Sequence, residues 1–321
     1  MAKKNTINLF SFFWKLANIF ITILSSIIVI KILHDNSWAF IKLLNFEPKH
    51  VLFILILFFV LFIISFIPVF LIFKRLSREP ITFWQLLPVL TIGRMANILA
   101  PRSGIIYKAF AFKSNFNLSY TQYINIFALF SWLTLLLNLF LAAFMILMVM
   151  PGLKLFQFSV LYIIIGFFGV VLTGPFLIHY ILLLFKFKRP LTVKIHEKLT
   201  GLFQAMTAHG KDKRLLSHIF FFSVSSFVLT VVLFKLIFVG MNVPIGYEHI
   251  ALLSIVRKIS NLFFITPGNI GVQELLYGAV CESIGIGTAQ GIIVSVILRL
   301  VGYIIIFPMG IAFGGIQAFN K

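Results

Sequence analysis

The sequence is short of acid, of histidine and of cysteine. Eight aspartates and glutamates stand among 321 residues, and no two form a close pair. Chemistry on a lipid-linked sugar or phosphate normally needs placed carboxylates or a metal, so the chain offers little to an enzyme. The seven histidines, from His34 to His249, show no metal-ligand spacing. One cysteine, Cys281, excludes an intrachain disulfide framework. Charge of any sign is scarce, at 11% of residues where a soluble domain carries about 25%.

Apolar residues fill the space, at 61% of the chain with 40 phenylalanines. No soluble fold of this length hides that much apolar surface from water, so the solvent for most of the chain is a bilayer. The charges that remain are lopsided, 27 Lys and Arg against 8 acids, a net of +19. They lie mainly between apolar runs, as expected of a surface facing anionic lipid. Without a soluble basic scaffold they do not suggest nucleic acid.

Six apolar runs are long enough to cross a core roughly 30 Å thick. They are Ala17–Leu33, Val51–Phe73, Ile124–Met150, Phe158–Phe185, Ile219–Gly240 and Ala289–Gly314. Two more segments are apolar but broken. Residues 81–112 contain Pro88, Gly93, Arg94, Asn97, Pro101, Arg102 and Gly104, and residues 250–284 contain Arg257, Lys258, Asn261, Pro267, Gly268, Asn269, Gly271 and Glu274. Proline removes a backbone donor and glycine relaxes the helix. Each segment therefore reads as half-helix, turn, half-helix: a re-entrant hairpin. Irregular backbone at membrane depth is tolerated only inside protein or beside a wet cavity.

The loop 186–214 carries eight Lys and Arg residues against Glu197 and Asp212, so the positive-inside rule places it in the cytoplasm with both termini. Each half then reads span, span, hairpin, span. The first membrane repeat is 1–157 and the second 158–321. Three crossings per half invert the second, giving the inverted-topology repeat with broken helices typical of transporters. The expected fold is an all-α polytopic membrane protein with about six full spans and two re-entrant hairpins, in the cytoplasmic (inner) membrane.

The polar residues in these segments are the candidate site. Intramembrane ionisable groups cost roughly 2.5–3.5 kcal/mol each on insertion, so each needs a partner or a wet cavity. Glu274 is either a helix-start carboxylate held by the dipole or an acid paired with Arg299, Arg257 or Lys258. Arg94, Asn97, Arg102 and Lys108 belong to the first hairpin. Arg102, beside a helix start, suits a phosphate or simply marks the positive cytoplasmic side. Arg257, Lys258, Asn261, Asn269, Glu274 and Arg299 belong to the second half. Pro101, Gly104, Pro267, Gly268 and Gly271 form the turns. Cationic groups and helix starts in a greasy frame fit a molecule with an anionic head and apolar tails.

Pro267-Gly-Asn-Ile-Gly271-Val-Gln-Glu274 followed by Arg299, with the weaker Asn97 to Pro101, Gly104 and Lys108, resembles the lysylphosphatidylglycerol synthase transmembrane family of flippase-like proteins. Lys108 stands where that family often has arginine, and Ile105 where an acid is common. The resemblance covers nearly the whole chain. It implies a stand-alone lipid translocase, since in bifunctional members such a membrane domain moves aminoacylated phosphatidylglycerol and a separate soluble domain makes it. The expected partners are an anionic phospholipid or lipid-linked substrate, the membrane, and a lipid-modifying enzyme; no cofactor or metal is expected. The alternatives are an integral membrane enzyme, or an accessory protein of a lipid-linked glycan or aminoacyl-lipid pathway.

Overall fold

A computed structural model describes residues 46–76, 81–100, 102–149, 152, 154–155, 158–184, 212–260 and 266–319, with isolated helical positions between 23 and 35. From residue 48 onward the described chain forms ten helices. In order they are α1 (Pro48–Ile64), α2 (Ile67–Leu76), α3 (Phe83–Leu99), α4 (Ser103–Phe116), α5 (Tyr120–Val149), α6 (Val160–Leu184), α7 (Lys213–Gly240), α8 (Tyr247–Ser260), α9 (Val272–Ser283) and α10 (Thr288–Phe319). Residues Lys154–Leu155 and Phe158–Ser159 form a two-residue antiparallel ladder between α5 and α6.

Four runs are long and apolar enough to cross a membrane: Pro48–Arg75, Tyr120–Met148, Lys213–Gly240 and Thr288–Gly315. They contain the expected spans 51–73, 219–240 and 289–314 whole, and 124–150 as far as Met148. The expected crossing at 158–185 is helical only from Val160, because Phe158 and Ser159 pair with Leu155 and Lys154 instead. The first expected span, 17–33, and the basic loop lie mostly outside the described residues. The end of that loop is corrected: Lys213 and Arg214 open α7.

These helices have no polar face. On α1, Leu52, Phe53 and Ile56 are exposed while Ile54, Phe58 and Phe62 are buried. A helix that is apolar all round fits lipid on one side and protein on the other. Pro68 explains the break between α1 and α2. It has no N–H for the carbonyl of Ile64, and its ring crowds that carbonyl. The chain turns at Ser65 and Phe66, and the Ser65 hydroxyl donates to the Phe62 carbonyl at 2.6 Å.

Pro88 does not interrupt its segment as expected. It lies in the N-terminal half of α3, which continues through it and through Gly93 to Leu99. The carbonyl it would have served belongs to Trp84, which is mostly exposed. Thr82 and Gln85 cap the start of α3 reciprocally. Arg94 and Asn97 are likewise helical, as are Arg257 and Lys258 in α8. The described breaks are confined to the turn before α4 and to the segment between α8 and α9.

Two apolar cores result. One surrounds the α3–α4 pair and includes Phe62, Phe73, Leu86, Phe112, Tyr123 and Ile219. The other surrounds α8 and α9 and includes Phe58, Leu139, Phe234, Leu253, Tyr277 and Ile293. They meet on α1, where Phe58 and Phe62 sit one turn apart.

Asp212 joins α7 to α2. Its carboxylate accepts from the Arg214 and Leu215 amides at 3.1 and 3.2 Å and pairs with Arg75 at 3.0 Å. The Leu215 N–H, chiefly, holds its pKa below the usual aspartate value; it outweighs desolvation and is helped by the Arg75 charge. A depressed folded-state pKa contributes stability above the unfolded value, about 3.9, and loses it as pH falls through the folded value. Asp212→Ala is therefore expected to lower the melting temperature in detergent at pH 7. The gap to the parent should narrow as the pH is taken below 4, in a melting series across that range.

Candidate functional site

The chain between α8 and α9 reverses sharply at Pro267–Asn269. Gly268, Asn269 and Gly271 have φ of 55°, 56° and 82°. Glycine enters that left-handed region freely, and asparagine is the commonest side-chain-bearing alternative. The turn is tied on three sides. Thr266 Oγ1 donates to the Ile270 carbonyl at 2.8 Å, Asn269 Nδ2 donates to the Ser260 carbonyl at 3.0 Å, and the Gly271 amide donates to Glu274 Oε2 at 2.7 Å.

Arg299 reaches this turn from α10. Its guanidinium donates to the Gly268 and Asn269 carbonyls at 3.1 and 3.3 Å and pairs with Glu274 Oε1 at 2.5 Å. Of the three cations considered for Glu274, Arg299 is the one within ion-pair distance. Glu274 is 3% exposed, and the Arg299 side chain 13%. The arginine thus points into protein, where it clasps a turn and its carboxylate.

The other turn is closed by its own residues. Asn97 Oδ1 accepts the Gly104 amide at 2.8 Å, and Ser103 Oγ bonds the Ala96 and Ala100 carbonyls. Arg102 stands exposed at the start of α4 with φ 62°. Pro101 and Asn261 lie outside the described residues. The two turn regions approach each other: a Cβ on Gly268 would lie 3.6 Å from the Cα of Ile98, near the end of α3.

Behind the turns four cations converge. Arg94 and Lys108 come from α3 and α4, Arg257 and Lys258 from α8. Arg94 is within electrostatic reach of each of the other three. It donates to Ser65 Oγ at 2.8 Å and lies over Phe66 and Phe62, 4.3 and 5.2 Å from the ring centres. Arg257 lies over Phe58 at 5.4 Å, and Lys108 over Phe127 at 4.1 Å. Lys258 donates to Ser226 Oγ at 2.8 Å. Arg257 Nη1 is buried without a hydrogen bond. Among the described residues, none of the four has a carboxylate within ion-pair distance.

Cation–π contacts contribute about 0.5–2 kcal/mol each. Removing an ion from water costs several kcal/mol even after relaxation. The aromatic rings and two serines therefore offset only part of the burial, and the arrangement is suited to an anion. Phe58, Phe62 and Phe66, spaced four apart under both arginines, were not singled out from sequence. Neither were Ser65, Ser226 and Phe127. Their only signal was that spacing, and forty phenylalanines mask it.

Comparison with known families matches residues 11–310 to the family described as Lysylphosphatidylglycerol synthase TM region. The chain belongs to this family. The match spans both helical pairs, the clasp and the cation cluster. It makes the chain a membrane protein of a lipid-related family, as its apolar helices also require. No curated protein and no solved structure matched the chain. Among the described residues of this family member, no group of three or more His, Cys, Asp or Glu is placed to hold a metal ion.

Proposed function

We propose that this protein is a lipid translocase, moving an anionic phospholipid or glycolipid headgroup between the leaflets of the cytoplasmic membrane. The carrying observation is the convergence of Arg94, Lys108, Arg257 and Lys258 without a carboxylate among the described residues. The headgroup passes between the two helical pairs while the acyl tails stay in lipid. On this reading the pairs are re-entrant hairpins of an inverted repeat, entering from opposite faces. Broken helices that meet around charged side chains support it, as does the proximity of Gly268 to Ile98. The basic loop then faces the cytoplasm with both termini.

The reading is non-enzymatic. Glu274, the carboxylate of the site, is held by Arg299 and by the Gly271 amide, which suits it to hold a turn rather than carry protons. Purified protein in vesicles with a fluorescent phosphatidylglycerol on one leaflet tests the proposal. The leaflets are expected to equilibrate faster than in empty vesicles, and Arg94→Gln to slow the exchange. Equilibration at the empty-vesicle rate, with and without an ion gradient, would sink it.

A further inference from the structure

The charge balance of the cluster selects among lipids. We infer that the site takes a lipid phosphate bearing no cationic group, and that it prefers a phosphomonoester head to a phosphodiester. This deepens the translocase reading and rests on it for the direction in which the lipid arrives.

Six of the chain's eight acids are described, and each is engaged elsewhere. Asp35 lies beside His34, Glu47 beside Lys49, Asp212 beside Arg75 and Glu248 beside His249. Glu274 pairs with Arg299, and Glu282 accepts from the Thr288 amide and hydroxyl at 2.8 Å. None of these six is left to receive an ammonium group. A headgroup carrying a lysyl or ethanolamine cation would bring another positive charge to a group in which Arg94 already repels the other three.

The four cations also exceed what one negative charge offsets. A phosphodiester carries one, whereas a phosphomonoester carries about −1.5 to −2 near neutral pH and three acceptor oxygens. Arg257 Nη1, buried and unbonded, is a donor with no acceptor among the described residues. Arg94, Arg257 and Lys258 keep part of their surface accessible, so a headgroup can reach them. Arg94 from α3 and Arg257 and Lys258 from α8 can share its oxygens without the paired forks of a single arginine, with Lys108 of α4 adding its charge beside Arg94.

A cluster built for a ligand leaves a further trace in the empty protein. Like charges at close range destabilise the fold they sit in, so neutralising one should stabilise it. Arg257 and Lys108 are the suitable positions, because neither donates a hydrogen bond within the described residues, and methionine keeps the packing on Phe58 and Phe127. A purely structural cation would give the opposite sign on replacement.

The test is lipid binding to full-length protein in detergent, read by native mass spectrometry, alongside lipid-free thermal melting. The probes share the same acyl chains: phosphatidic acid, phosphatidylglycerol, phosphatidylethanolamine and lysyl-phosphatidylglycerol. Phosphatidic acid is expected to bind tighter than phosphatidylglycerol by roughly tenfold or more, with the two amine-bearing lipids weakest. Arg257→Met and Lys108→Met are each expected to erase most of that margin while melting no lower than the parent without lipid. Inorganic phosphate, at the same concentration, is expected to leave phosphatidic acid bound; displacement by it overturns the assignment to a lipid. Lysyl-phosphatidylglycerol binding as tightly as phosphatidylglycerol overturns the inference, as does an unchanged order in both variants. The binding order can hold while vesicles show no translocation, which would remove the transport reading alone. Translocation with the reverse order would remove this inference alone.

Discussion

Glu274→Ala is expected to destabilise the protein by about 3–5 kcal/mol, the range for removing one partner of a buried ion pair. Three losses coincide. The Gly271 amide loses its acceptor at the start of α9. Arg299 keeps its charge deep in the last span with only the Gly268 and Asn269 carbonyls to serve it. Its Nε, already unbonded, gains nothing. Arg299→Met should be nearly as damaging, since it leaves a buried carboxylate with only the Gly271 amide and the Ser295 hydroxyl, 3.5 Å away, to offset its charge. Changing both to methionine should recover much of the loss, because a buried pair and a well-packed apolar replacement of similar volume are often close in energy. Melting the three variants in one detergent, with the monodisperse fraction as a second readout, decides it. If the single variants melt with the parent, the clasp does not anchor the turn.

Much of this arrangement is legible in the sequence, for a physical reason. Intramembrane charge is expensive, so Arg299 and Glu274 had to be explained by each other or by water, and the structure pairs them. The glycines of the second turn marked a reversal of the chain, and Gly268 and Gly271 sit in it with positive φ. Pro88 misled because a proline breaks a helix only where the lost donor and the ring clash cannot be accommodated; near the start of α3 they are. Asn97 and Asn269, expected to meet substrate, instead hold the two turns through Gly104 and Ser260. That distinction depends on a side chain's nearest backbone atom, which no local pattern encodes. The approach of Arg94 to Arg257 was less legible still. They come from opposite halves of the chain, on α3 and α8, and only the folded arrangement brings their side chains over Phe62 and Phe58 of α1.

The contact between α3 and α4 supplies the other large effect. Gly104 sits so close to α3 that an added Cβ would overlap the Gly93 carbonyl oxygen and lie 2.7 Å from the Asn97 side chain. A backbone oxygen cannot swing aside, so Gly104→Ala must push the two helices apart. The expected loss is at the upper end of the 1–3 kcal/mol typical of overpacking, with Arg94 and Lys108 displaced together. Gly93→Ala makes a useful contrast. Its Cβ would meet Lys108 Cγ and Cδ at 2.7 and 2.9 Å, the middle of a flexible chain that can bend away. Gly93→Ala should therefore melt well above Gly104→Ala yet bind phosphatidic acid more weakly than the parent, because the ammonium leaves its place over Phe127. Equal melting temperatures for the two variants would mean that the helices are not held at this distance. A fully retained affinity in a well-folded Gly93→Ala would mean that the position of Lys108 does not matter to the ligand.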